Sequence, residues 1–105
     1  MISRIWHGWT TMQNADAYDA LLLSEIFSGI EDRAIPGYRG IQLLRRASGT
    51  EVEFVTIMWF ETMEAVVSFA GKDYEVAVVP EAARASLARF DACSQHYEVR
   101  ADRRD

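Results

Sequence analysis

The sequence predicts an α+β fold with the element order strand, helix, strand, strand, helix, strand. Apolar runs of strand length occupy residues 2–10, 38–46 and 51–60, and an alternating run follows at residues 91–100. Segments with apolar residues at helical spacing separate the first strand from the second and the third from the fourth. This order is typical of a βαββαβ sandwich, in which both helices cover one face of a four-stranded antiparallel sheet.

The first strand, ISRIWHGWT, is rich in β-branched and aromatic residues, and a helix is predicted after it. Asn14 is expected to cap this helix with its side-chain oxygen, and Asp16 suits the positive end of the helix dipole. Steps of three and four residues then separate Tyr18, Leu21, Leu22, Glu25 and Ile26. This spacing predicts about four turns of helix that end around Gly29.

A β-hairpin is predicted in the middle of the chain. The turn residues AIPGYRG precede the second strand, and ASGT connects it to the third strand, EVEFVTIMWF. The third strand carries two apolar sets, Val52, Phe54, Met58 and Phe60 on one side and Val55, Ile57 and Trp59 on the other. Neither sheet face therefore suits contact with water. A second copy, packed face to face in a twofold homodimer, would cover the face that lacks helices.

The second half of the chain predicts an interrupted helical layer and a last strand. Thr62 is the expected N-cap of a helix that Gly71 ends, and Pro80 suits the start of a further short helix through PEAARASLARF. Residues 74–79 form an irregular bridge between the two helices. The segment DACSQHYEVR then supplies the last strand.

Length and composition predict one domain at residues 1–100, followed by a polar C-terminal tail at residues 101–105. The 105 residues fit a single core, and 50% hydrophobic with 26% charged residues is ordinary for a folded chain. The formal net charge of −5 disfavours nucleic acid as a partner, because phosphate binding depends on clustered Lys and Arg.

The sequence also predicts a cytoplasmic protein. Cys93 is the single cysteine and cannot form an intrachain disulfide, and the N-terminus lacks the pattern of a secretory signal. No apolar run approaches the roughly 20 residues that a membrane helix needs. We therefore expect a reducing compartment and no membrane partner.

Several of these segments together resemble a known family. They are the first strand with its capped helix, IPGYRG ahead of the second strand, and VEFVTIMWFETMEAVVSFAG with a Trp near the end of the third strand. They resemble the antibiotic biosynthesis monooxygenase family of ferredoxin-like, dimeric α+β barrel proteins, over roughly residues 2–99. The resemblance implies a homodimer whose two sheets form a barrel, with a ligand cavity in each subunit between the helices and the sheet.

The resemblance implies one of several activities, because members of this family differ in what they do. Some members oxidise aromatic precursors with molecular oxygen and without metal, flavin or haem, whereas others degrade haem that is bound through a helix histidine. In this chain His7 lies near the position of an Asn in the haem degraders, and Phe69 lies near that of a Trp. Residues 74–80, where the ligand histidine would fall, contain no histidine. Haem degradation is therefore the less favoured alternative, and no cofactor is expected.

His7 and His96 are the candidate catalytic residues. An imidazole titrates near neutrality and can take a phenolic proton from a hydroxylated aromatic substrate before oxygen attacks the ring. The first and last strands are neighbours in this topology, so the two imidazoles can meet across the ladder. The alternative is a packed histidine with one satisfied hydrogen bond. No metal site is expected, because two histidines and one cysteine lack the spacing of a ligand set.

Four aromatic residues are the candidate substrate-binding residues, namely Trp6, Trp59, Phe69 and Tyr74. The tryptophans can supply flat walls for an aromatic ligand, although core or dimer packing explains them equally well. Tyr74 lies in the irregular bridge, where functional residues are common, and its hydroxyl can orient a substrate oxygen. Closure of the core is the alternative role for this tyrosine.

The predicted function is that of a cofactor-independent monooxygenase that acts on an aromatic or quinol-like small metabolite. The alternative is a non-catalytic dimer that binds a small molecule or serves in a stress response.

Overall fold

The sheet is organised around the first strand. In the computed structural model, which describes residues 1–104, β1 (Ile2–Thr11) lies between β3 (Glu51–Phe60) and the C-terminal part of the chain. β2 (Tyr38–Ser48) pairs with the other side of β3, and all strand pairs are antiparallel. The βαββαβ α+β architecture predicted from the sequence is therefore confirmed.

The predicted last strand is divided into two short pieces. β4 (Arg89–Phe90) pairs with Gly8 and Trp9, and β5 (Gln95–Glu98) pairs with the first half of β1. The prediction of one continuous alternating strand at residues 91–100 is wrong, and the sheet has five strands instead of four. The indole Nε1 of Trp6 donates a hydrogen bond of 2.7 Å to the carbonyl of Asp91, where the chain leaves the ladder.

The displaced residues pair with the chain between the two C-terminal helices. Ala77 N donates to Ala92 O at 2.9 Å, and Ser94 N donates to Glu75 O at 2.8 Å. We call residues 72–80 the strap, because they are fastened to the sheet edge in this way. The predicted irregular bridge at residues 74–79 is confirmed, and these backbone bonds explain why the edge strand is interrupted beside it.

The first helix is longer than predicted. It consists of α1 (Ala15–Leu21), a π-helical turn (Leu22–Ile26) and α2 (Phe27–Asp32), so it continues past Gly29. The wider π turn changes which residues face the sheet, so that Phe27 is buried while Glu25 is exposed. Regular α-helical spacing of three and four residues does not predict that the side chains after a π turn point in a different direction.

Two helix starts and one helix end test the predicted caps. Asn14 has helical backbone angles and its side chain makes no capping hydrogen bond, so that prediction is wrong. Thr62 is confirmed as the N-cap of α3 (Met63–Ala70), because its side-chain oxygen accepts from Ala65 N at 3.2 Å. Gly71 ends this helix with a φ of 91°, a conformation that glycine adopts without strain.

The last helix, α4 (Glu81–Ser86), follows Pro80 as predicted but is shorter than expected. Its chain becomes extended at Leu87, whose side chain passes close to Gly8. A Cβ at Gly8 would lie 3.0 Å from Leu87 Cδ2, so glycine permits this approach to β1. None of the helices among residues 1–104 is long and apolar enough to cross a membrane.

Alternation along the strands sends two sets of side chains to the two faces of the sheet. Even-numbered residues of β1 and β3 face the helices, and Phe54 and Phe60 are fully buried there. Tyr18 packs edge-on against Phe54 with ring centroids 4.8 Å apart. Val66 and Phe69 of α3 pack around Phe60 in the second part of the core.

The opposite surface of the sheet, which we call the far face, carries no helix. Its centre is formed by Ile5, Val55, Ile57 and Trp59, all of them half-buried. The sequence-based prediction that both faces of the third strand are apolar is therefore confirmed.

Truncation of Phe60 tests the core. Phe60→Ala leaves a cavity where a ring is now 0% exposed, and we expect the free energy of unfolding to fall by about 3–5 kcal/mol. Val67→Ala, on the exposed side of α3, is the matched control and should change it by about 0.5 kcal/mol or less. Urea unfolding at one protein concentration measures both. Equal losses for the two variants would contradict the assigned core.

High pH tests the burial of Tyr18. Burial raises the pKa of Tyr18 from 10.0 to about 12, so the unfolded chain loses this proton first. The contribution to stability is complete below pH 10 and is lost as the pH rises to about 12. The total loss should be roughly 2–3 kcal/mol. Tyr18→Phe should remove this part of the pH dependence, and identical slopes for variant and wild type would contradict the assignment.

Candidate functional site

A cavity lies between the helices and the sheet. The sheet contributes Arg4, Trp6, Ile41, Thr56 and Met58, and the first helix contributes Tyr18, Leu22, Ile26, Phe27 and Ile30. Phe69 of α3, Ala83 of α4, Ser94 and three strap residues complete the lining. The walls are therefore mainly aliphatic and aromatic, with a few polar groups, which is the usual composition of a small-molecule site.

The cavity is small in this state of the protein. Its volume is about 60 Å³, which accommodates a few water molecules and is less than an aromatic ring requires. A fused-ring ligand therefore enters only when the walls move apart. Two parts of the wall depart from regular structure, namely the π-helical turn and the strap.

Arg4 is the charged residue of the cavity lining, and it is only 3% exposed. Its Nη1 donates to the carbonyl of Tyr74 at 2.5 Å and contacts Nε2 of His96 at 3.0 Å, while Nη2 donates to the carbonyl of Val76 at 3.4 Å. Its Cζ lies 5.5 Å from the ring centroid of Phe69. The guanidinium thus connects the sheet to the strap through neutral groups.

Burial and the charge of Arg4 together keep His96 in its neutral form. Because a guanidinium has only donors, Nε2 of His96 accepts the hydrogen bond and Nδ1 carries the proton. Burial, followed by the positive charge of Arg4, lowers the pKa of His96, and Glu75 acts in the opposite direction. His96 is therefore neutral at neutral pH. Burial also lowers the pKa of Arg4 itself, although a guanidinium remains charged in proteins.

Two of the four aromatic residues predicted to bind substrate line this cavity. Trp6 and Phe69 do so. Trp59 lies on the far face, because it alternates with Met58 and Phe60, which face the helices. Tyr74 lies in the strap, where its ring packs edge-on against His96 with centroids 5.3 Å apart. Its carbonyl oxygen, and not its hydroxyl, contacts Arg4.

The two histidines lie on opposite faces of the sheet. His96 is opposite Arg4 in the ladder, on the helix side, whereas His7 alternates to the far face. The structure thus separates the two imidazoles, and the prediction that they meet across the ladder is wrong. Neither ring is part of the cavity lining described above.

His7 instead belongs to a charged cluster at one end of the far face. Its Nδ1 lies 2.9 Å from Oε2 of Glu53, and Arg46 Nε donates to Oε1 of the same carboxylate at 2.8 Å. The hydrogen bond from Arg46, followed by that from His7, holds the pKa of Glu53 below its usual range. The ring of His7 also stacks on Trp9 at a centroid distance of 6.0 Å.

Three deeply buried cavity residues with polar side-chain groups were not among the sequence candidates, namely Arg4, Tyr18 and Ser94. In the sequence, Arg4 is distinctive only as a charged residue within an apolar strand. Both faces of this strand are apolar, so the sequence does not show which face Arg4 occupies. The helical spacing assigns Tyr18 to the apolar stripe of the first helix. Ser94 lies where the edge strand is displaced, so its inward position depends on the strap.

The lining of the cavity, which is formed by residues within the described range 1–104, contains no His, Cys, Asp or Glu side chain. Among residues 1–104, no group of three or more His, Cys, Asp or Glu side chains is arranged to hold a metal ion. Strap residues 74–80 contain no histidine. The Nε2 lone pair of His96 is occupied by Arg4.

Comparison with known proteins was made by sequence and by structure. No family model and no curated protein matches the chain. Among solved structures, the monooxygenase ActVA-Orf6 of Streptomyces coelicolor, determined with nanaomycin D, aligns with a TM-score of 0.68 and 16% identity over 99% of this chain and 91% of that one. A Bacillus cereus protein assigned to the antibiotic biosynthesis monooxygenases aligns at 0.66 and 14%, over 100% and 96%.

The haem degrader MhuD of Mycobacterium tuberculosis, determined with two haems in its active site, has a TM-score of 0.57 and 20% identity over 97% of this chain and 98% of that one. The alignments cover nearly the whole of each chain, but the sequence identity is low, so they show a similar backbone fold and nothing more. The chain therefore has the fold of the antibiotic biosynthesis monooxygenases, as the resemblance of its sequence implied.

Proposed function

We propose that this protein is a monooxygenase that acts on an aromatic or quinol-like small metabolite without a bound cofactor. The observation that carries the proposal is the apolar cavity between the helices and the sheet, whose lining includes the buried Arg4. The fold shared with ActVA-Orf6, a monooxygenase determined with nanaomycin D, supports the same assignment.

The proposed reaction converts a ring CH2 group that is conjugated with a carbonyl across the same ring, as in an anthrone, which is the keto tautomer of a hydroxylated aromatic, into a second carbonyl. Loss of one proton gives an electron-rich anion that reacts with molecular oxygen. One oxygen atom becomes the new carbonyl oxygen, and the other leaves as water with the two hydrogens. The substrate supplies all four electrons, so the reaction needs no additional reductant.

The cavity residues favour this chemistry by enclosing the ring system and binding its oxygens. Trp6 and Phe69 are aromatic walls against which a flat ring can pack. Tyr18 keeps its proton because burial raises its pKa to about 12, so its hydroxyl can donate to a substrate oxygen. His96 touches Arg4, and we assign it the role of positioning that side chain.

The alternative is a protein that binds the same kind of metabolite without turnover. The absence of an imidazole from the cavity lining favours this alternative, because general base catalysis then falls to solvent or to the acidity of the substrate itself. Oxygen consumption distinguishes the two functions.

We also propose that the functional form is a homodimer that buries the far face. Ile5, Val55, Ile57 and Trp59 form its half-buried centre. Leu44 and Tyr97 extend this surface and are 43% and 54% exposed. An apolar sheet surface of this kind favours contact with another protein, and a second copy is its simplest complement.

Oxygen uptake tests the proposed activity. The wild-type protein, mixed with a hydroxylated anthrone, should consume one O2 for each substrate molecule that becomes a quinone. Tyr18→Phe should lower the rate about 3- to 10-fold, because one hydrogen bond to the substrate is lost. His7→Ala should leave it unchanged, since His7 lies on the far face.

Two results would contradict this account. Binding of the anthrone without oxygen uptake would favour the non-catalytic alternative. A large loss of rate in His7→Ala, with none in Tyr18→Phe, would place the reaction on the far face.

Sedimentation tests the proposed dimer. We expect the wild-type protein to sediment as a dimer at micromolar concentration, and Ile57→Lys to sediment as a monomer, because it introduces a charge at the centre of the far face. Leu23→Lys, at a helix position that is 56% exposed, is the control and should remain dimeric. A monomeric wild-type protein would contradict the proposal.

A further inference from the structure

We propose that Arg4 is an anion-binding residue, and that the ligand of the cavity is an aromatic compound with one acidic oxygen. This inference rests on the proposed function and specifies its substrate class. The acidic oxygen is an ionised phenol or enol at one edge of an otherwise apolar ring system.

The buried charge of Arg4 has no counterion within the described part of the chain. Arg4 is 3% exposed, and no Asp or Glu among residues 1–104 forms an ion pair with it. An ion that is removed from water without a counterion loses several kcal/mol of solvation. Contacts with neutral carbonyl groups and an imidazole compensate only in part. A negatively charged ligand would supply the missing counterion.

Arg4 also has N–H donors that the surrounding residues of the described chain do not use. A guanidinium has five N–H groups. The two on Nη1 are used by Tyr74 O and by Nε2 of His96, and one on Nη2 is used by Val76 O. The Nε–H and the second N–H of Nη2 have no partner among residues 1–104. A guanidinium can direct its Nε–H and an N–H of Nη2 at one anionic oxygen, so these donors are available to a ligand.

The two parts of the cavity lining differ in polarity. Arg4 and Ser94 are polar and deeply buried, whereas the helix-side wall consists of residues such as Leu22, Ile26 and Ile30. Such a site favours a ligand with an apolar body and a single charged edge. A ligand charged at both ends would leave one charge unpaired against the aliphatic wall.

The other titratable groups near Arg4 do not neutralise it. His96 of β5 is neutral at neutral pH for the reasons given above, and Tyr74 contacts Arg4 only through its carbonyl oxygen. Glu75 acts on His96 but forms no ion pair with Arg4. On the side of α3, Arg33 donates to the carbonyls of Ser68 and Phe69, and it adds a positive charge. A ligand anion therefore enters a locally positive environment.

The test compares an acidic probe with its neutral methyl ether. 2-Hydroxy-1,4-naphthoquinone is ionised at neutral pH, whereas 2-methoxy-1,4-naphthoquinone has nearly the same shape and no charge. Dissociation constants are measured by calorimetric titration of the full chain. We expect the wild-type protein to bind the hydroxy compound roughly 10- to 100-fold more tightly, as charge-assisted hydrogen bonds imply.

Variants assign the preference to Arg4. Arg4→Gln should bind the two compounds with similar affinity, and Arg4→Lys should retain part of the preference, because it keeps the charge but loses the two-donor edge. Arg39→Gln, a change at an exposed arginine that pairs with Glu61, is the matched control and should behave as wild type. Circular dichroism establishes that each variant is folded.

A spectroscopic measurement separates ligand binding from a merely structural role. The hydroxy compound changes colour on ionisation, so its pKa can be followed while it is bound. In the wild-type complex this pKa should be lower than in free solution, and in Arg4→Gln the lowering should disappear. A structural defect alone would weaken the binding of both compounds without moving this pKa.

The outcomes separate the two proposals. Equal affinity of the wild-type protein for both compounds would overturn the role of Arg4, even if Arg4→Gln failed to fold, and would leave the proposed monooxygenase activity intact. Retention of the preference in Arg4→Gln would also overturn it. Failure of both compounds to bind would contradict the ligand class and the proposed function together.

Discussion

The pairing of β1 on both of its sides determines which side chains reach the cavity. Its side chains alternate between the cavity and the far face, and both surroundings are apolar. β1 pairs with β3 on one side and with β4 and β5 on the other. Arg4 and Trp6 therefore face the helices, and Ile5 and His7 face away from them. A shift of the register by one residue would exchange these sets. It would place an imidazole in the cavity and the guanidinium of Arg4 on the far face.

The strap holds the side chain of Arg4 in place beside the cavity. Its carbonyls at Tyr74 and Val76 receive hydrogen bonds from Arg4, and its main chain pairs with the displaced edge at Ala92 and Ser94. The same backbone bonds that interrupt the edge strand thus hold Ser94 in the lining of the cavity, which Arg4 also lines. Because the strap has no helix or strand of its own, it can yield more easily than the sheet when a ligand enters.

Much of the fold could be predicted from the sequence, since apolar spacing and turn residues are local signals. The hairpin, the Thr62 cap and the helix end at Gly71 were predicted in this way and are confirmed. The π-helical turn and the divided edge strand depend on contacts between distant segments, which periodicity does not record. The site was predicted less well for the same reason. Trp6 and Phe69, which were sequence candidates, line the cavity, but Arg4 was not a candidate, because both faces of β1 are apolar and the sequence alone could not assign them.

The central claim is that ligands bind between the helices and the sheet, and isoleucine methyl groups report on it directly. Ile26, Ile30 and Ile41 line the cavity, whereas Ile5 and Ile57 lie on the far face. With these methyl groups labelled for NMR, titration with 2-hydroxy-1,4-naphthoquinone should shift the signals of Ile26, Ile30 and Ile41 and leave those of Ile5 and Ile57 in place. Shifts confined to Ile5 and Ile57 would contradict the account.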